Sequence, residues 1–126
     1  MNEVPSAPLV EAGPCEPDGS AGSSGPWRVT WRLRAAEALV VEELWLPHDH
    51  FFSDRFSPHP PVRLEPRVWT PLTRPVRCTD SPGSVIENAF LILRCSSARV
   101  FARLTITVDS AGTPRQVCES VTVQAL

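Results

Sequence analysis

The chain predicts an all-β fold, a single antiparallel β-sandwich of about seven strands. Three observations carry this expectation. Apolar and polar residues alternate singly through residues 27–34 and again through 99–108, the period of a strand with one buried and one solvated face. The apolar segments are short and regularly spaced, with turn-forming residues between them. No segment shows a convincing helical period.

Residues 1–26 contain five Pro, four Gly and four Ser, with four acids (Glu3, Glu11, Glu16, Asp18) and no basic residue. Lacking apolar periodicity, such a segment cannot bury enough surface to offset its ordering entropy. It predicts a disordered acidic tail, with residues 19–25 as a flexible linker. Removing the tail is then expected to leave the thermal midpoint within a few degrees. Residues 27–126 form the expected domain. They hold all 12 basic residues, every one an Arg, against 14 − 4 = 10 acids, a formal charge of +2. A chain of this length buries enough surface for one core without covalent staples.

The domain opens with Trp27-Arg28-Val29-Thr30-Trp31-Arg32-Leu33-Arg34, a half-buried strand. Residues 39–46 form a second apolar run, broken by Glu42-Glu43. Ala, Leu and Glu would allow a helix over 35–46, but Val40-Val41 and Trp45-Leu46-Pro47 favour a strand. Residues 62–78 alternate again. Pro66, Pro71 and Pro75 interrupt them, and proline cannot donate to a ladder, so short edge strands are expected at best. Residues 85–95 are the most apolar, with Ala89-Phe90-Leu91-Ile92-Leu93 suited to a strand covered on both faces. In 99–108, Val100, Ala102, Leu104, Ile106 and Val108 point inward while Arg99, Phe101, Arg103, Thr105 and Thr107 point outward. Asp109-Ser110-Ala111-Gly112 is a turn signal, and Val117, Glu119, Val121 and Val123 continue on the next strand. The last three strands should form a meander through Ser96-Ser97 and residues 109–113. Trp31, Leu91, Leu93 and Leu104 are the expected core.

Strand number and spacing point to a sandwich of immunoglobulin-like type. The segments Glu87-Asn88-Ala89-Phe90-Leu91-Ile92-Leu93-Arg94 and Arg99-Val100-Phe101-Ala102-Arg103-Leu104 resemble small uncharacterised bacterial proteins with an immunoglobulin-like or fibronectin type III-like sandwich. The resemblance spans roughly residues 27–124. It implies a fold, and it brings neither an activity nor functional residues.

Several function classes are excluded or disfavoured by composition. Without lysine there is no P-loop lysine, no Schiff-base lysine and no Ser-Lys dyad. There is no apolar run long enough to span a membrane, and the N-terminus lacks the features of a secretory signal, so a cytoplasmic location is expected. A domain charge of +2 is far below that of nucleic-acid binders. No nucleophile motif is present, and no enzymatic activity or cofactor is expected.

The four cysteines, Cys15, Cys78, Cys95 and Cys118, form no metal knuckle. In the expected meander, Phe90 lies opposite about Arg103, and Arg103 opposite about Cys118. Cys118 is then about 17 Å along the sheet from Cys95, too far for a bridge. Pairing of Cys78 stays open at this point.

All three histidines fall in Pro47-His48-Asp49-His50-Phe51-Phe52-Ser53-Asp54-Arg55-Phe56-Ser57-Pro58-His59-Pro60, read here as a loop. On an extended backbone His48 and His50 face one side, and with His59 or Asp54 they would make a three-ligand metal site. Asp49 or Asp54 behind a histidine would equally suit a general base. Phe51, Phe52 and Phe56 share the segment, as a core plug or as an exposed docking patch; Phe51 and Phe52, being adjacent, must point to opposite sides. A second docking candidate is the outward set Arg99, Phe101 and Arg103, joined by Arg28, Arg32 and Arg34 if their strands share a sheet. The leading expectation is a non-enzymatic module that binds another protein. A metal-binding protein using His48, His50 and His59 is the alternative. Homodimerisation through a sheet edge is the other partner arrangement considered.

Overall fold

The computed structural model, which describes residues 6–18 and 26–126, has nine antiparallel strands where about seven were expected, residues 9–17 and 51–56 being strands that the sequence reading took for tail and loop. They are β1 (Leu9–Pro17), β2 (Trp27–Arg34), β3 (Leu39–Pro47), β4 (Phe51–Phe56), β5 (Val62–Leu64), β6 (Thr70–Cys78), β7 (Val85–Cys95), β8 (Ala98–Val108) and β9 (Pro114–Ala125). There is no helix among the described residues, and hence none long and apolar enough to cross a membrane. The strands form one sheet in the order β1-β2-β6-β4-β3-β7-β8-β9, with β5 added against β3. The sheet bends until β9 lies beside β1, so it is nearly closed, like a barrel.

The core is the inward half of each alternation. Val29, Trp31 and Leu33 of β2 meet Leu44 and Leu46 of β3, Leu91 and Leu93 of β7, and Leu104 and Ile106 of β8, all essentially sealed from solvent. The four residues expected in the core are all there. The meander also forms as expected, with Phe90 opposite Arg103. Past that point a bulge in β9 sets Arg103 opposite Ser120 and Leu104 opposite Cys118, one step from the expected register.

Three expectations change. The acidic tail is not disordered over residues 9–17. They form β1, which pairs along β2. Its acids meet the arginines of β2: Arg28 bridges Glu16 at 3.0 Å and Arg32 bridges Glu11 at 3.0 Å. Its inner residues Val10 and Cys15 pack on the core. A register shift between Ala12 and Cys15 scrambled the period in the sequence, and Gly13-Pro14 there read as loop. Gly13 is required at that spot, because a Cβ would stand 2.6 Å from the Thr30 carbonyl oxygen. The linker expected over 19–25 lies outside the described residues.

Second, residues 51–56 are a strand rather than a loop. β4 forms a hairpin with β3 across the turn at 48–50. Third, β6 carries Pro71 and Pro75 and yet lies between two neighbours. It pairs with β2 over residues 70–76 but reaches β4 only through Phe51–Cys78 and Phe52–Arg77. One side of β6 is thus open along most of its length, and prolines are tolerated where no ladder bond is needed.

One buried side chain ties the two ends of the sheet together. Gln116 of β9 donates from Nε2 to the carbonyls of Gly13 (3.0 Å) and Thr30 (3.1 Å), and its Oε1 accepts from Trp31 Nε1–H at 2.8 Å. Nearly all its hydrogen-bonding capacity is used, as a buried amide requires.

Candidate functional site

The outward half of the same alternation builds one continuous apolar row. Trp45 of β3 lies opposite Ile92 of β7, Ile92 opposite Phe101 of β8, and Phe101 opposite Thr122 of β9. Phe90, 37% exposed, lies one step along β7, opposite Arg103. Phe52 of β4 flanks the row through Pro47 of β3. Trp45, Phe52, Ile92 and Phe101 are all partly exposed. Beside Trp45 the surface dips into a cleft of about 430 Å3, lined also by Pro47, His48, Phe52 and Asp54.

Arginines surround this row. The Arg55 guanidinium stacks over the Trp45 ring at 4.1 Å and bonds Glu43 at 2.9 Å. Arg94 approaches the same Glu43 at 3.9 Å. Arg99 stands directly opposite Arg94, two like charges side by side. Arg103 donates to the Ser120 hydroxyl at 3.3 Å. Neither Arg99 nor Arg103 forms an ion pair with a carboxylate among the described residues, so one acid serves two of four arginines.

The expected docking residues therefore divide. Phe52, Arg99, Phe101 and Arg103 share the outer face of one half of the sheet. Phe51 does not belong there: it is fully buried and plugs the core. Phe56 is also elsewhere. A bulge in β4 sets Leu46 opposite Ser53 but Leu44 opposite Phe56, which moves Phe56 off the Phe52 side and under Arg74, whose guanidinium lies 3.9 Å above its ring. Arg28, Arg32 and Arg34 sit on β2, far round the sheet from β8, so the joint arginine surface does not form. The sequence reading missed Trp45, Phe90 and Ile92. Phe90 and Ile92 were read as part of a strand covered on both faces, while the period-2 rule alone placed them opposite the buried Leu91.

The three-histidine metal site does not assemble. Among the described residues no three His, Cys, Asp or Glu side chains converge to hold a metal. The rings of His48 and His50 are 5.8 Å apart, but both inner nitrogens are engaged. Nδ1 of His48 accepts from the His50 backbone N–H at 3.0 Å, and Nδ1 of His50 lies 2.9 Å from the Asp80 carboxylate. Neither Asp49 nor Asp54 backs a histidine there; Asp80 does, a residue far off in sequence. All four cysteines are free. Burial pushes the Cys15 thiol up to about 12, helped by the charge of Cys78, and burial followed by the nearby Glu42 pushes Cys95 up to about 11. Burial also raises Cys78 and Cys118. None of the four is a ready thiolate near neutrality.

Comparison with protein-family models, with curated proteins and with solved structures finds no match to this chain, so its functional reading rests on the geometry above.

Proposed function

We propose that the protein is a non-enzymatic binding module of immunoglobulin-like type whose outer β3-β7-β8 face docks another protein, one with an apolar surface rimmed by acids. Strand order supports the fold reading. β1-β2-β6 on one side and β4-β3-β7-β8 on the other follow the A-B-E and C-F-G arrangement of such sandwiches, with β4 beside the C position and β9 as an added strand.

A single observation carries the functional reading: Trp45, Ile92 and Phe101 lie in register across three strands, with Phe90 and Phe52 flanking them. Apolar side chains joined in one outward patch mark interaction sites more often than scattered ones do. Aromatic anchors beside arginine are also what dominates binding energy at protein interfaces. Charge selects the partner. Arg99 and Arg103 lack a carboxylate among the described residues, and the like-charged Arg94–Arg99 pair is relieved by a negative group placed over it.

The test compares the wild-type chain with Phe101→Ser and Arg103→Glu. Circular dichroism should be unchanged in both, since both side chains point outward. A protein retained by wild type should be released by either substitution, and its binding should weaken with added salt. Retention that neither substitution nor salt alters would overturn the assignment of this face.

A further inference from the structure

We infer a second, small-ligand site at the seam between β4 and β6, built to take one carboxylate group carried on a compact apolar body. The seam follows from sequence. Pro75 and Pro71 leave β6 without ladder donors on one side, and the β4–β6 pairing stops at Phe52–Arg77. Beyond that pair the strands part around a cleft of about 230 Å3. Pro26, Phe52 and Pro75 supply its apolar walls, and Ser53, Asp54, Arg74 and Arg77 its polar groups.

Two of these groups hold a buried atom without a partner. Ser53 is 8% exposed, and its Oγ has no hydrogen-bond partner. Arg74 Nε is buried and equally without a partner. Arg74 follows the inward alternation of Leu72 and Val76, and it is held in place by stacking at 3.9 Å on the Phe56 ring. A hydroxyl and a guanidinium Nε–H left unpaired in a recess cost stability unless something bonds them. A carboxylate does so: its two oxygens match the planar fork of Arg74 while accepting from Ser53. Partial burial lowers the Arg74 pKa, and Asp54 opposes that lowering, so the guanidinium stays charged.

Charge sets the ligand's valence. Arg74 and Arg77 against Asp54 leave one net positive charge, which a monoanion neutralises. Volume sets its body, since a cavity of roughly 150 Å3 accepts a benzene ring. A free aromatic or branched acid and the C-terminal residue of a peptide offer the same chemistry. This site shares Phe52 and Asp54 with the edge of the β3-β7-β8 face, but it rests on Ser53 and Arg74 and stands if the docking reading fails.

Benzoate is the first probe and benzamide its uncharged counterpart, followed by amide-resonance NMR on the intact protein. Benzoate should saturate in the millimolar range, shifting resonances of Ser53, Arg74 and Phe56, while benzamide leaves them still. Arg74→Lys, which keeps the charge but loses the fork, should weaken benzoate roughly tenfold. Ser53→Ala should weaken it several-fold in a chain that still folds, and so tests the site even if the Arg74 variant does not fold. A peptide ending in a free phenylalanine carboxylate, compared with its amidated form, separates the sources: tighter binding than benzoate marks a chain terminus, weaker binding a free acid. Equal responses to benzoate and benzamide, no saturation at tens of millimolar, or full affinity in folded Ser53→Ala would overturn the proposal.

Discussion

The β7-β8-β9 meander and the β4–β6 seam are built from the same kind of residue, yet they behave oppositely. In the meander, ladders run along almost the whole of each strand, and the inward residues are Ala, Val, Leu and Ile with few exceptions. At the seam two residue pairs hold the strands together, and the inward positions include Ser53 and Arg74. In the continuously paired meander the inward polar group is Gln116, and it is bonded to Trp31, Gly13 and Thr30, because an unpaired one would meet only hydrocarbon. Where pairing stops, space and unpaired polar atoms coexist. The same sheet is a scaffold in one region and a receptor surface in the other.

The largest expected effect tests the scaffold. Leu104→Ala, at a site with no exposure, should cost about 2–5 kcal/mol in denaturant titration. A loss under about 1 kcal/mol would mean that the meander relaxes around a cavity as freely as the seam, and the contrast would fail.

Gln116 sits where the meander meets β1. Gln116→Ala should cost about 1–3 kcal/mol by stranding the buried Trp31 N–H. Deleting residues 1–17 removes β1 and with it the Gly13 acceptor, so the midpoint should fall well beyond the few degrees expected of a disordered tail. Thermal melts of both variants check this, and an unshifted midpoint after the deletion would return β1 to the status of a tail.

Asp109 provides a smaller effect, confined to acid. Its carboxylate accepts from the backbone N–H groups of Thr113 and Ala111 at 2.9 Å each and from Arg115, closing the β8–β9 turn. These bonds, the one from Thr113 foremost, hold its pKa below the usual carboxylate range. The contribution is therefore complete above the ordinary aspartate value near pH 4 and disappears as pH falls through the lowered one. Asp109→Asn should flatten the acid limb of a melting-point profile and leave the neutral limb parallel to wild type. A profile with an unchanged acid limb would take the turn out of the acid response.

Ser53→Ala should have the smallest effect on stability, between no change and a slight gain, since it deletes a buried hydroxyl that bonds nothing. A loss of more than about 1 kcal/mol would show that the hydroxyl is bonded in solution, and would sharpen the comparison by making the seam as satisfied as the meander.

Legibility followed the same division. Residues 99–108 alternate without interruption, and from them alone the faces of Leu104, Phe101 and Arg103 could be assigned. β1 was illegible because its apolar residues are few and small and a bulge shifts their period. Phe56, grouped with Phe52 in the sequence, leaves its face for a related reason: the β4 bulge inserts one residue, and one residue reverses the face. The proposed docking face was half legible. Phe101 and Arg103 stood out, while Trp45 and Ile92 became neighbours only through the β3–β7 register.

The sequence by itself established an all-β antiparallel chain, its core residues and its closing meander, because a strand's period is local and needs only neighbouring residues to show itself. It also removed lysine-dependent chemistry, since composition requires no folding. The tertiary structure alone placed β1 on β2, Gln116 across the ends of the sheet, and Ser53 beside Arg74. These arrangements depend on strand order, bulges and the point where a ladder stops, which join residues up to 103 positions apart and leave no period in the chain.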